Sequence, residues 1–363
     1  MQRFTVFVLI ISLFLGGFKA FAAEVDQVKV LVSFKSKVDH DLIISARGKI
    51  KAELKNLPIA IVDIPRDSII KLKKNKNIDF IEEDGVWSAT MQNLPWGVDR
   101  IDADAVQSKG VTGKGIRVGV LDSGISPHED LSIAGGWNFI NNTANYNDDF
   151  GHGTHVSGTI AAINNNLGVV GVAPDVQIYA LKVLDSQGNA KWSTIAKAID
   201  WAITNKLQVL NMSFGGNQGS KTVEKALNKA YNSGMILIAS SGNTGDTTNV
   251  FYPANYSSVI AVGATDQNNN IAAFSNRGTK IELVAPGVDI ESTYPGNGYR
   301  VLSGTSMAAP HVTGVAALLW SIDPKLTNLQ VREKLRQSTT DLGLPGLDMV
   351  YGYGLVNALL AAS

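Results

Sequence analysis

Four short stretches of this chain carry residue types suited to chemistry. Gly304-Thr305-Ser306-Met307-Ala308 places a hydroxyl where a helix begins, because residues 306–320 are apolar on nearly every side, the pattern of a helix buried all round. Pro310 is tolerated only near such a start. The free N–H groups and positive dipole end there favour negative charge, so an attacking oxygen and the oxyanion it creates would both be stabilised. A serine in that place is otherwise an ordinary helix cap, and alone it has no base. The apolar run 116–121 ends in Asp122-Ser123-Gly124, a carboxylate before a tight turn, which also suits plain turn-capping. Gly151-His152-Gly153-Thr154-His155 opens another small-residue helix. Its i, i+3 histidines share one helical side, which suits a metal pair, but no Glu follows the first His and no third ligand is nearby. With an aspartate and a serine in matching contexts, His152 can take the proton of Ser306 while Asp122 holds its tautomer. Finally, the apolar run 235–240 leads into Ser241-Gly242-Asn243, whose amide can donate to an oxyanion or can simply make a turn.

Composition narrows the setting. The chain has 363 residues, 45% of them hydrophobic and 18% charged, enough to bury a large core. Formal net charge is zero, with 14 Lys+Arg against 11 Asp+Glu in residues 1–90 and 18 against 21 in the rest, so no basic surface for nucleic acid is expected. The absence of cysteine excludes disulfides, thiolate zinc sites and cysteine nucleophiles. Arg3, an apolar run at 4–15 and Ala20-Phe21-Ala22 read as a secretory signal peptide over 1–22, implying a secreted, extracellular protein without stable membrane association.

The elements that must position these residues follow from periodicity. Residues 28–34, 59–64 and 78–81 read as strands and 41–55 and 68–76 as helices, a small α+β unit ending in Glu82-Glu83-Asp84. The boundary to a larger domain falls before Leu94-Pro95-Trp96-Gly97. Beyond it, apolar runs at 116–121, 176–184, 209–214, 235–240, 259–264 and 281–284 alternate with helical segments at 154–162, 193–204, 220–232, 306–320 and 328–338. That alternation predicts an α/β fold, a mainly parallel sheet covered on both faces, with sites beyond the carboxyl ends of its strands.

Taken together, Val120-Leu121-Asp122-Ser123-Gly124-Ile125, His152-Gly153-Thr154-His155-Val156, Ser241-Gly242-Asn243 and Gly304-Thr305-Ser306-Met307-Ala308 resemble the four signatures of the subtilisin-like serine proteases, in the same chain order. The resemblance implies a three-layer subtilisin-like catalytic domain over 91–363 and a propeptide over 23–90 acting as chaperone and inhibitor. It implies Asp122, His152 and Ser306 as triad, Asn243 as oxyanion donor, and a secreted, monomeric endopeptidase made as a self-processing zymogen. Extended peptide or protein substrates would pair with Gly188-Asn189-Ala190 and Ser213-Phe214-Gly215. Trp192 matches an aromatic beside the pocket for the fourth residue before the cut. Phe251 matches the floor of the first pocket, where it would favour small or medium side chains. The resemblance places the maturation cut between Thr90 and Met91, with Thr90 in the first pocket and Trp87 in the fourth. It also implies a calcium ion held by Gln92, Asp130, Ile163, Asn165, Leu167 and Val169, an all-oxygen set suited to a hard cation.

Overall fold

The computed structural model describes residues 26–85 and 92–363; the candidate signal peptide, Trp87 and the Thr90–Met91 bond lie outside them. The described residues form two compact units on either side of that gap.

In the first unit, alternation along β1 (Gln27–Phe34) turns Val30, Val32 and Phe34 inward. Helix α1 (His40–Ser45) is far shorter than the predicted 41–55. Arg47 adopts a left-handed φ of 63°, Gly48 N donates to the Ile43 carbonyl at 2.9 Å, and the helix ends. The remainder becomes β2 (Lys49–Glu53), whose alternation competes with the helical reading and wins through pairing with β3 (Ile59–Pro65). Helix α2 (Arg66–Leu72) and β4 (Ile78–Glu83) complete an antiparallel sheet of order β2-β3-β1-β4, with Ile43 and Leu72 of the helices in its core.

The second unit begins with short helices α3 (Trp96–Arg100) and α4 (Ala103–Gln107). Strand β5 (Arg117–Asp122) is central: Val118 and Val120 face one core and Leu121 the other. On one side β5 pairs with β7 (Gln177–Lys182), which pairs with the edge strand β6 (Ile133–Asn138), lying earlier in the chain. On the other side follow β8 (Val209–Met212), β9 (Ile236–Ser240), β10 (Ile260–Thr265) and β11 (Ile281–Pro286), all parallel. The small strands β14 (Thr339–Thr340) and β15 (Leu355–Val356) finish a nine-stranded sheet. The strand order turns back at β5, so Asp122 stands at the carboxyl end beside the reversal.

Helices α5 (His152–Ala161) and α8 (Thr305–Ile322) share one core beneath the sheet. On the opposite face lie the amphipathic helices α6 (Trp192–Thr204) and α7 (Lys221–Asn232), which turn Ile195, Ala198, Ile199, Val223 and Leu227 into a second core. Helix α9 (Asn328–Gln337) starts with a capping box of Thr327 and Gln330, and α10 (Ala358–Ala361) ends the chain's regular structure. The six predicted strands and five predicted helices of this unit are all present. The Gly-rich β6 and the hairpin of β12 (Ile290–Tyr294) and β13 (Gly298–Leu302) are additions that apolar periodicity does not reveal. Among the described residues no helix is long and apolar enough to cross a membrane.

Candidate active site

The fully buried Asp122 is met by His152 at the start of α5, where His152 Nδ1–H donates to Asp122 Oδ1 at 2.8 Å. The carboxylate thereby fixes the tautomer and leaves Nε2 as an acceptor. Ser123 N also donates to the same oxygen, at 2.7 Å, while Asp122 Oδ2 is buried without a partner. Burial pushes the His152 pKa down, but the charge and hydrogen bond of Asp122, with a smaller contribution from Asp148, outweigh it and leave the value raised above 6.5.

Asp148, four residues before His152, was not singled out by the sequence reading. It is buried, and both of its oxygens are engaged. Oδ1 accepts from Phe150 N (3.1 Å) and Gly151 N (2.7 Å); Oδ2 accepts from Thr154 N (2.8 Å) and Thr154 Oγ1 (2.6 Å). The carboxylate thus satisfies the N–H groups of the cap Gly151 and of Thr154 at the start of α5, and its charge complements the helix dipole, while Ser123 Oγ accepts from Gly153 N at 2.9 Å. A carboxylate just before a helix opening was the available signal.

Ser306 is the second residue of α8, not its cap; Gly304 takes that position. Because Pro310 has no N–H, the Ser306 carbonyl lacks its helical donor, and Ser213 Oγ supplies one at 2.8 Å. In return Ser306 Oγ donates to the Ser213 carbonyl at 2.9 Å. Among the described residues this is the hydroxyl's hydrogen-bond acceptor, so any transfer of its proton to His152 would require rotation about the Ser306 side chain. Asn243 Oδ1 accepts from Thr305 N (2.9 Å) and Thr305 Oγ1 (2.8 Å), which turns the amide N–H groups toward the hollow containing His152 and Ser306. His155 faces elsewhere: its Nε2 lies 3.0 Å from the carbonyls of both Ile290 and Arg300, so the two histidines do not converge on one ligand position.

Two hollows meet at this centre. One is lined by Gly188, Ser213, Phe214, Gly215, Gly242 and Phe251; the aromatic ring of Phe251 lies so close to Gly242 that a Cβ there would sit 2.9 Å from Cγ. Farther along, Ala190, Trp192 and Tyr252 line a second recess continuous with Gly188 and Gly215. The backbone groups of Ala190 and Gly215 have no hydrogen-bond partner among the described residues. The other hollow is lined by Tyr294, Arg300, Leu302, Ser303 and Met307, and shares Phe150, His152, Asn243 and Ser306 with the first.

Away from the cleft, Gln92 Nε2 donates to the carbonyls of Ile163 (2.6 Å) and Val169 (2.9 Å). Asn165 Oδ1 accepts from Leu167 N at 2.8 Å within the same loop. Asp130 Oδ2 accepts from Val169 N at 3.0 Å, whereas Oδ1 is buried without a partner, and burial raises the carboxyl pKa. At Gly168 φ is +54°, and any Cβ would collide with the Tyr299 ring. The carbonyls of Ile163 and Val169 and the unpartnered buried oxygen of Asp130 are donors of the kind a hard divalent cation takes, but both carbonyls accept from the Gln92 amide here, so Gln92 fits as a ligand only with its amide turned over to present Oε1.

Residues 113–354 match the Peptidase S8 model, the subtilase family. The chain is 48% identical to a thermostable alkaline protease of Halalkalibacterium halodurans over 84% of its length and 83% of the relative's. It is 42% identical to subtilisin E of Bacillus subtilis, covering 93% of this chain and 91% of the relative. A third relative, the minor extracellular protease Epr of Bacillus subtilis, is 40% identical over 93% of this chain and 55% of its own length. The chain belongs to the subtilase family. It is a subtilisin-type serine endopeptidase.

Proposed function

We propose that Ser306 attacks the scissile carbonyl, His152 Nε2 takes its proton and later gives it to the leaving amine, and Asp122 holds and stabilises the imidazolium. The observation that carries this assignment is the 2.8 Å bond from His152 to the buried Asp122 in a cleft shared with Ser306. Asn243, aimed by Thr305, donates to the oxygen that becomes anionic in the tetrahedral intermediate. An extended substrate lies between Gly188–Ala190 and Ser213–Gly215, whose open backbone groups at Ala190 and Gly215 supply pairing. Phe251 limits the first pocket to small or medium side chains, and Trp192 borders the fourth.

The protein is made with a signal peptide and a 23–90 propeptide, cut by its own Ser306 between Thr90 and Met91, and works as a secreted monomer. Similarity to a minor extracellular protease supports export, as does the charged-then-apolar N-terminus. Gln92, Asp130, Ile163, Asn165, Leu167 and Val169 would hold calcium, the Gln92 amide turning its Oε1 to the ion in place of the Nε2 that now donates to the Ile163 and Val169 carbonyls. When bound, that ion supplies electrostatic crosslinking of the 163–169 loop to the segment following the cut, and takes no part in acyl transfer.

Intact mass of wild type beside Ser306→Ala, each produced from the full chain with calcium, tests the scheme. Wild type at the mass of 91–363 with the mutant retaining its propeptide is expected. Propeptide retained by both would overturn self-processing; propeptide lost from both would assign it to another protease.

A further inference from the structure

Arg300 projects into the second hollow from a rigid base. Its backbone is paired with Ser292 in the β12–β13 hairpin, and its carbonyl accepts from the buried His155. Leu302, two residues on and therefore on the same face of β13, lines the same hollow. The Arg300 guanidinium is exposed but oriented. Its Nη1 donates to Tyr294 Oη at 2.9 Å, and Cζ lies 5.0 Å from the centroid of that ring. Tyr294 Oη donates in turn to the Phe150 carbonyl at 3.4 Å. None of the ion pairs among the described residues includes Arg300. Most of its fork of donors is therefore free for a carboxylate.

The pairing segments proposed above assign the hollow lined by Phe251 to the residues before the cut, which leaves the other hollow for those after it. A peptide paired with 188–190 and 213–215 occupies the Phe251 side up to Ser306. It then continues past His152 and Met307 into the hollow bounded by Tyr294, Arg300 and Leu302. Whatever lies there belongs to the leaving amine. Resting on the substrate direction proposed above, we propose that Arg300 selects polypeptides with an acidic side chain among the first three residues after the scissile bond. Met91-Gln92-Asn93, which follow the proposed maturation cut, are uncharged, so self-processing does not use this selection.

Exposed ion pairs are weak, so the selection is about two- to fivefold in kcat/KM and is screened by salt. The experiment uses the mature enzyme and peptides with one fixed cleavage site, varied as Asp, Glu, Ala or Lys at each of the three positions before and after it. Wild type is expected to prefer acid over Ala, and Ala over Lys, at a position after the cut, with the ratios approaching one in 1 M NaCl. Arg300→Glu is expected to invert the order, and Arg300→Lys to keep a smaller acidic preference. Thermal melting of each variant verifies its fold. Equal rates for Asp, Ala and Lys after the cut, or an acidic preference that survives Arg300→Glu, would overturn the assignment at Arg300 itself. An acidic preference confined to positions before the cut would overturn it through the binding direction instead.

Discussion

In its proposed role as base His152 has to be neutral, and its raised pKa sets where that condition is met. The acid limb of kcat/KM is expected above pH 6.5, with activity rising as pH increases through it. A limb below 6.5 would contradict the dominance of Asp122 over burial. Asp122→Asn should lower kcat/KM by roughly 10⁴-fold, because the amide imposes the other tautomer. The four residues of the proposed site, Asp122, His152, Asn243 and Ser306, stand out in the sequence because each lies within two positions of a glycine at the end of an apolar run or the opening of a helix. Their supports do not. Ser213 meets Ser306 across 93 residues and Thr305 meets Asn243 across 62, and no local pattern announces such pairs.

Asp148 ties the loop before α5 to the first turn of the helix that carries His152. Asp148→Asn keeps the volume but turns an amide N–H pair toward one pair of donors that Asp148 now satisfies. A loss of about 2–4 kcal/mol in unfolding free energy is expected. Removing that charge should also move the acid limb of kcat/KM toward lower pH. A variant with unchanged denaturant midpoint and unchanged pH profile would show the contacts to be idle. Among elements, the long buried α8 and the amphipathic α6 and α7 were readable from periodicity, since packing demands that pattern. Strand β6 was hidden by its glycines, and β2 by a helix-compatible composition that only pairing with β3 resolves.

Across the whole molecule, two buried histidines oppose acid. Burial lowers His155 to about 4, with partial compensation from the Arg300 carbonyl, and lowers His311 to about 4 against the opposing Met307 carbonyl. Both are held neutral in the fold and take up protons more readily when unfolded. Their contribution is therefore complete above pH 6.5 and lost as pH falls toward 4, roughly 3 kcal/mol for each. Denaturant midpoints should drop steeply over that interval, and a flat profile would refute it. Chelator should lower the melting temperature at neutral pH by removing the ion proposed at Asp130 and the 163–169 loop; saturating chelator without effect would refute that site. The sheet topology has a further consequence, in the time the chain takes to fold. Asp122 on β5, Asn243 after β9 and Ser306 on α8 come together only after widely separated parallel strands have found one another, and β15, almost at the chain's end, still has to join β11. Such distant closures are entropically slow. A chain still being synthesised, or halted short of Ser306, would hold the other parts of the proposed site without its nucleophile.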